Sequence, residues 1–247
     1  MKNYQKKIIF PTLFGLLLSI NSIHSQSIKE IEIYNWFDNS VGKNNLDINN
    51  GILHTNPYTT LDGSTIYFKD DKFEKGTLAL EGQVYYETQL KYDIYRDILI
   101  LNPSGASELI GISLVKEKVD SFSLYDRNFV KLNKEQYNLA GFTTGYYEVT
   151  ESTPDFTFYI KYSKTINKIV REDGIFYQFK PKNNYLLAYK KSLYTVDSKS
   201  DITKIFPEKK KNINEFYDMN RELRRSDLNL FMKNLMKYIN NSLLTEK

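Results

Sequence analysis

Histidine and cysteine set the first limits on the chemistry of this chain of 247 residues. It has two histidines, His24 and His54, and no cysteine. His24 lies at the end of a predicted signal peptide, so we expect His54 to be the only histidine of the mature chain. One histidine cannot build a three-histidine zinc site or a His-Glu-x-x-His helix, and the lack of cysteine excludes thiolate chemistry and disulfides.

His54 is the candidate base of a hydrolytic triad. The nearest sequence to a nucleophile turn is Gly-Ala-Ser-Glu-Leu at residues 105–109, with Ser107 as the nucleophile. It lacks the second glycine of the G-x-S-x-G turn, so the sharp bend has less reason to form. We therefore expect Ser107 to be a loop hydroxyl, His54 to be a hydrogen-bonding loop residue, and no catalytic residue of this class.

Paired carboxylates are the second possible chemistry, because glycoside cleavage needs two acids held roughly 5 to 9.5 Å apart. The candidates on predicted strands are Glu81, Glu87, Asp93, Asp97 and Glu148. The sequence does not show that any two face each other, and we interpret them as solvated charges at strand ends. A carboxylate-dependent hydrolase acting on envelope polysaccharide stays an alternative.

The sequence predicts neither a metal nor a cofactor. Asp70 and Asp71, and Asp47 with Asn49, do not match the twelve-residue calcium loop, so we interpret them as turn residues. The chain contains neither a Walker A loop nor a G-x-G-x-x-G motif, which leaves nucleotide chemistry without support.

Tandem tyrosines are the most unusual feature of the chain. Tyr85-Tyr86 and Tyr146-Tyr147 put one ring on each side of a strand. Tyrosines of this kind suit sheet packing first, and they also suit recognition of sugars, peptides or lipids. These four residues are our candidate ligand-binding residues.

The beginning of the chain has the pattern of a secretory signal peptide. Lys2, Lys6 and Lys7 precede an apolar stretch at residues 8–20, and we predict cleavage after Ser25. The stretch has 13 residues, too few to cross roughly 30 Å of hydrocarbon, and Pro11 interrupts it. We expect an exported protein that is periplasmic, associated with the outer membrane, or secreted.

Export changes the charge of the protein. Without the three signal lysines, 31 of the 34 basic residues remain against 30 acidic residues, a net charge of +1. This balance does not favour binding of nucleic acid, because such binding would need a basic stripe on the surface. No later segment reaches 18 apolar residues, so we expect no transmembrane span in the mature chain.

Extended segments dominate the middle of the chain. In residues 156–162, Phe156, Phe158, Ile160 and Tyr162 share one face, which predicts a half-buried strand. Residues 98–101 and 109–115 flank the turn sequence Asn-Pro-Ser-Gly, which predicts a hairpin. Further candidate strands are residues 78–86, 119–125, 145–149, 176–180, 185–189 and 193–196. About nine strands at roughly ten-residue spacing predict a mainly β (α+β) fold, an antiparallel meander forming a half-barrel, barrel or sandwich.

The tail has helical spacing from residue 198 onward. A helical turn at 201–206 is interrupted by Pro207, a helix is predicted near 209–223, and Ser226-Asp227 supplies an N-cap for the last helix. Its apolar stripe is Leu228, Phe231, Met232, Leu235, Met236 and Ile239. We expect this stripe to cover the sheet, with a partner-binding or membrane-surface helix as the alternative. The basic runs 209–211 and 224–225 are interpreted as solvated helix faces.

These patterns predict three parts of the chain: a signal peptide at 1–25, a β-rich domain at 26–197 with a loop-rich part at 26–75, and a helical segment at 198–247.

Short motifs resemble a group of exported, β-rich proteins of Bacteroidota-type bacteria that are generally left uncharacterised. They are NL at 45–46 with NG at 50–51, GQVYY at 82–86, LKYD at 90–93, VDSF at 119–122 and GYYE at 145–148. The resemblance implies a periplasmic or outer-membrane setting, with no activity attached.

The leading hypothesis is a non-enzymatic exported protein that binds a ligand or an envelope partner through an aromatic sheet face or the mouth of a barrel. Its expected partners are an outer-membrane or envelope protein, a lipid or a glycan. Besides the hydrolase, the alternatives are a curved-sheet carrier of lipids or other hydrophobic ligands, and a structural subunit of an outer-membrane assembly.

Overall fold

A computed structural model of the protein describes residues 22–42, 47–61, 63–103, 107, 109–137 and 139–244. The chain forms two compact units, residues 1–47 and residues 48–247. In the first unit, helix α1 spans Ser22–Val41. Residues 1–21 of the predicted signal peptide lie outside the described residues, and the predicted cleavage bond after Ser25 lies within α1.

The second unit contains thirteen strands among the described residues. They are β1 (Gly51–Leu53), β2 (Glu74–Leu80), β3 (Gln83–Asp93), β4 (Ile98–Asn102), β5 (Ile112–Leu114), β6 (Val119–Leu124), β7 (Arg127–Leu132), β8 (Gly145–Thr153), β9 (Phe156–Lys161), β10 (Lys164–Arg171), β11 (Gly174–Pro181), β12 (Asn184–Tyr189) and β13 (Ser192–Thr195).

Eleven of these strands form one antiparallel sheet in the order β1-β5-β4-β3-β2-β6-β7-β8-β9-β12-β13. Most neighbours are consecutive in the chain, so the predicted meander is confirmed. There are three exceptions: β1 pairs with β5, β6 pairs with the free side of β2, and β12 pairs with β9. The sheet does not close into a barrel, and β10 pairs with β11 in a separate two-stranded hairpin.

The strands follow the alternation of apolar residues, as β9 shows. Phe156, Phe158 and Ile160 are buried, whereas the side chains between them are partly exposed. The predicted strand at 78–86 is in fact a hairpin, because Glu81 and Gly82 adopt positive φ angles of 50° and 81°. Strand β10 was not predicted because most of its residues are exposed, so burial imposes little apolar alternation on it.

Four helices follow the sheet: α2 (Lys199–Ile205), α3 (Lys210–Met219), α4 (Arg221–Ser226) and α5 (Leu228–Leu244). Short 3-10 helices cover Asp47–Asn49, Lys134–Gln136 and Pro207–Lys209. The predicted cap is confirmed, since Asp227 Oδ1 accepts a hydrogen bond from the Leu230 amide at 2.9 Å. The predicted helix at 209–223 divides at Asn220, and Lys209 is 5% exposed rather than solvated, because it belongs to the 3-10 turn before α3.

Helix α5 packs on β8 and β9 through its apolar stripe, as predicted. Phe231, Met232, Leu235, Met236 and Ile239 are at most 3% exposed. Leu228, the first residue of the stripe, is 47% exposed, because it lies at the first turn of the helix. No described helix combines the length and apolar character needed to cross a membrane.

The sheet curves strongly around an aromatic core. Tyr92 on β3 and Tyr146 on β8 are separated by three strands in the sheet order, which would place them about 19 Å apart in a flat sheet. Their ring centroids are 5.9 Å apart. Phe122 and Phe129 fill the space between them, since Phe122 contacts Phe129 and both tyrosine rings lie within 5.5 Å of one of these phenylalanines. The curvature therefore places strand ends and turns close together around the core.

Candidate functional site

A pocket of about 460 Å³ lies where the curved sheet meets the base of the β10–β11 hairpin and the first turn of α5. We call it the cationic pocket, because three of its ten lining residues are basic and none is acidic. The basic residues are Lys69, Arg127 and Lys164. The aromatic residues are Phe68, Tyr125 and Tyr162, the amides are Asn183 and Asn229, and Ile94 and Pro181 complete the lining.

Arg127 is the best-anchored cation of the pocket. It begins β7, and its NH1 group donates a hydrogen bond to the Tyr162 hydroxyl at 2.7 Å. The guanidinium carbon lies 5.4 Å from the centroid of the Phe68 ring and 5.9 Å from that of the Tyr162 ring. Contact with two ring faces favours a guanidinium through cation–π attraction, so the position of Arg127 is set before a ligand arrives.

The buried carboxylate of Glu148 is an ion-pair partner of Arg127. Its side chain is 4% exposed and lies 3.4 Å from Arg127 NH1. It also accepts hydrogen bonds from the Tyr162 hydroxyl and from Lys233 Nζ, both at 2.6 Å. Two cations thus surround one carboxylate, so this group keeps a net positive charge. Burial and the adjacent Glu148 raise the pKa of Tyr162 well above its usual range.

Lys164 is half-buried and forms no ion pair among the described residues, although Asp93 is close enough to raise its pKa. Its Nζ donates to the backbone carbonyls of Tyr67, at 2.8 Å, and Thr65. Burial lowers the pKa of Lys164 to about 8, so most of the population is protonated at neutral pH. A half-buried ammonium that donates its hydrogen bonds to carbonyl groups keeps a positive charge that favours an incoming anion.

Lys69 and the two amides complete the set of donors. Lys69 is exposed, and its Nζ lies 4.5 Å from the centroid of the Tyr125 ring. The Oδ1 atom of Asn229 accepts hydrogen bonds from Asn183 Nδ2 at 3.0 Å and from the Tyr185 hydroxyl at 2.8 Å. Asn229 therefore has its Nδ2 group left to donate to a ligand. Cations and an amide donor together match a ligand rich in anionic and acceptor groups.

The four candidate tyrosines lie elsewhere. Tyr85, Tyr146 and Tyr147 are at most 3% exposed, and Tyr86 is half-buried. None of the four lines the cationic pocket. Tyr147 donates to the Thr143 carbonyl at 2.8 Å, and Tyr146 packs edge-on against core rings. Their role as ligand-binding residues stays a prediction.

His54 lies beside Ser113 rather than Ser107. Its Nδ1 is 3.0 Å from Ser113 Oγ, and its Nε2 is 3.2 Å from Arg96 NH2. Arginine can only donate, so Nε2 accepts and the proton of the neutral ring lies on Nδ1. Nδ1 then donates to Ser113, which leaves His54 unable to accept the hydroxyl proton. Burial, followed by Arg96 and Lys91, lowers the pKa of His54 to about 4.

Ser107 takes part in its own loop. Its hydroxyl accepts a hydrogen bond from the Leu109 amide at 3.3 Å, and its carbonyl accepts one from Asn102 Nδ2 at 2.9 Å. Ser107 is therefore the loop hydroxyl that the sequence suggests.

The five candidate carboxylates each pair with different cations. Glu81 and Glu87 are exposed and lie 2.9 Å and 4.0 Å from Lys118 and Lys75. The prediction of solvated charges is wrong for the other three, Asp93, Asp97 and Glu148, whose side chains are 0%, 15% and 4% exposed. Asp93 and Glu148 are buried and Asp97 is largely buried, and each has a lysine or arginine partner that offsets the loss of hydration.

The acidic turn residues also have structural contacts. Asp70 Oδ1 accepts hydrogen bonds from the Lys72 amide at 3.2 Å and the Tyr125 hydroxyl at 3.1 Å. Asp71 pairs with Lys91 at 2.5 Å. Within the described part of the chain, no three histidine or acidic residues are grouped so as to hold a metal ion.

The cationic pocket was not predicted, because its three basic residues are far apart in the sequence and none belongs to a basic run. The available signal was a basic residue one or two positions after an aromatic residue, in Phe68-Lys69, Tyr125-Asp126-Arg127 and Tyr162-Ser163-Lys164. Comparisons with protein-family models, with curated proteins and with solved structures find no match to this chain.

Proposed function

We propose that this protein is a non-enzymatic, exported binding protein that holds an anionic ligand in the cationic pocket. The observation that supports the proposal most directly is the charge of the lining: Lys69, Arg127 and Lys164 face one pocket without an acidic residue among the ten that line it. Hydrogen bonds from charged donors to an anion are the strongest that such a pocket can make.

Export is part of the proposal and rests on the sequence. The lysines and apolar stretch before residue 20, together with the resemblance to exported proteins, support a periplasmic or outer-membrane setting. Amino-terminal sequencing of the protein from an envelope fraction tests it, with Gln26 expected as the first residue. Recovery from the cytosol with Met1 retained would overturn this part of the proposal.

Calorimetric titration tests the binding proposal. The probes are galacturonate and glucose 6-phosphate as anions and galactose as their neutral counterpart. We expect at least one anion to bind and galactose not to bind, because the pocket selects for negative charge. The variant Lys69→Glu should weaken anion binding by about tenfold or more, since it replaces an attractive charge with a repulsive one.

Lys72→Glu is the matched control, because Lys72 is also exposed, lies three residues along the chain and is not part of the pocket lining. It makes the same change in net charge and should leave binding almost unchanged. Equal effects of the two substitutions, or failure of both anions to bind, would overturn the proposed function.

The alternatives have less support. A lipid carrier needs an apolar cavity for an acyl chain, whereas the concave side is filled by core rings such as Phe122, Phe129 and Tyr146. A hydrolase needs two carboxylates free to act on one bond, whereas the five candidate carboxylates are engaged with separate cations.

Docking to an envelope partner is a second candidate function, favoured by an apolar sheet edge. Strand β1 lies at the end of the sheet order, and Ile52 and Leu53 on it are 78% and 63% exposed. Leu109, just before β5, is 95% exposed. Affinity capture from detergent-solubilised envelopes, comparing the native chain with Ile52→Lys, tests this candidate. Recovery of the same proteins with both forms, or of the chain alone, would count against it.

A further inference from the structure

We infer that the anionic ligand is an acidic polysaccharide, and that a second pocket beside the first holds a neighbouring sugar of the same chain. This inference rests on the proposed function, because it needs the cationic pocket to bind the first acidic sugar. It adds the chemical class of the ligand and the direction in which the ligand extends.

The second pocket has a volume of about 380 Å³ and lies between strands β7 and β8 and helix α5. Its basic residues are Arg127, Lys233 and Lys237. Asn128, Thr150 and Asn234 add amide and hydroxyl groups, and Asp126, Glu148 and Glu151 add carboxylates. Val149 and Leu230 are the apolar residues of its lining.

Arg127 joins the two pockets, because it lines both of them. Its side chain is 38% exposed, and its described hydrogen bonds, to Tyr162 and Glu148, both use NH1. A guanidinium has five N–H donors, so Nε and NH2 keep donors for a ligand. A chain that passes from one pocket to the other would therefore cross this guanidinium.

Lys237 supplies the second charge for the ligand. It is exposed on α5, and among the described residues it forms no ion pair. Lys233, one turn earlier, is 23% exposed and is held by Glu148 at 2.6 Å. Lys237 is thus the lysine of the second pocket that can turn to an acidic group of a ligand.

The lining of the second pocket favours sugar over other anionic ligands. Amides and hydroxyls both donate and accept hydrogen bonds, which suits the hydroxyl groups of a sugar ring. An acyl chain would find little apolar surface there. Closely spaced phosphates of a nucleic acid would be repelled by Asp126 and Glu151, whereas an acidic sugar places its charges further apart.

Two adjacent pockets predict that binding depends on ligand length, because the second contact becomes intramolecular once the first is made. The probes are galacturonate and tri-galacturonate, measured by calorimetry with the full mature chain. We expect tri-galacturonate to bind at least about tenfold more tightly than galacturonate, and maltotriose, a neutral trisaccharide, not to bind.

The variant Lys237→Ala should reduce the affinity for tri-galacturonate by about tenfold more than the affinity for galacturonate. Lys211→Ala is the matched control, since Lys211 lies on another helix and its side chain is 87% exposed. It should change neither affinity. Lys211 and Lys237 are both exposed lysines on helices, so the two variants should unfold at nearly the same temperature as the native chain.

The possible failures are distinguishable. Equal affinity for galacturonate and tri-galacturonate, together with weaker binding of both by Lys69→Glu, would overturn the extended ligand and leave the proposed function standing. If glucose 6-phosphate binds and tri-galacturonate does not, the assignment of the ligand as an acidic polysaccharide is overturned. If phosphatidylglycerol vesicles bind more tightly than tri-galacturonate, the polysaccharide assignment is overturned in favour of a lipid ligand. Failure of every anion would overturn both proposals.

Discussion

Lys161 and Asp97 form an ion pair, with Lys161 Nζ 2.5 Å from Asp97 Oδ1. Lys161 ends β9, and Asp97 lies in the turn between β3 and β4, so the pair joins distant strands of the sheet. Lys116 also pairs with Asp97, and Tyr92 donates its hydroxyl to Asp97 Oδ1 at 2.5 Å. Gly145 leaves the room for this cluster, because a Cβ atom there would meet both Asp97 and Lys161.

The first prediction concerns the carboxylate of this cluster. Asp97→Asn should lower the free energy of unfolding by about 2–4 kcal/mol, because it leaves two lysine charges near the core without their partner. Asparagine also tolerates the positive φ of 59° at this position, so backbone strain should add little. Urea unfolding followed by circular dichroism measures the change.

Asp126→Asn is the control for this substitution. Asp126 also has a positive φ, 57°, but it is exposed. Its substitution should change the free energy of unfolding by less than about 0.5 kcal/mol. Equal effects at the two positions would show that the Asp97 cluster adds no stability.

The second prediction concerns the pH dependence of the same cluster. Burial raises the pKa of Asp97, but Lys161 and Lys116 lower it by more, so the folded value lies below the ordinary 3.8. A carboxylate with a lowered folded pKa stabilises above its unfolded pKa and loses that effect as pH falls through the folded value. The stability difference between the native chain and Asp97→Asn should therefore be full at neutral pH and shrink as the pH falls below the ordinary 3.8. A difference that stays constant with pH would contradict this account.

The third prediction concerns His54. Its pKa falls from 6.5 to about 4 on folding, chiefly through burial and then through Arg96 and Lys91. The unfolded chain binds a proton in this interval that the folded chain does not, so stability should fall as pH falls from about 6.5 to about 4. We expect this loss to be about 1–3 kcal/mol and to be absent in His54→Gln. Urea unfolding at several pH values checks it, and parallel profiles for the two proteins would refute the assignment.

The fourth prediction concerns the packing of α5. Leu235 is fully buried between the helix and the sheet, whereas Leu228 on the same helix is 47% exposed. Leu235→Ala should cost about 2–5 kcal/mol of unfolding free energy, because it removes buried methyl groups and leaves a cavity. Leu228→Ala makes the same chemical change and should cost less than about 1 kcal/mol. Similar losses in thermal or urea unfolding would mean that α5 is not held on the sheet in this way.

Much of the fold could be predicted from local pattern. The alternation of Phe156, Phe158 and Ile160 predicts β9 because a strand buried on one face repeats every two residues. Asp227 predicts the start of α5 because its side chain can cap the helix, and the apolar stripe that begins at Leu228 predicts most of the buried face. Strand β10 was missed because it is not buried, so its sequence carries no such repeat.

The sequence by itself determined most of the strands, the succession of strands and then helices, and the apolar face of the last helix, because burial of one face imposes a short-range period on residue types. Only the tertiary structure decided that Lys69, Arg127 and Lys164 line one pocket and that Asp97 meets Lys161. Those groupings depend on the curvature of an eleven-stranded sheet, which is the sum of many contacts between distant residues. A local sequence pattern does not report contacts between distant residues. The sequence around a charged residue at a turn is therefore the same whether that residue faces solvent or a neighbouring charge.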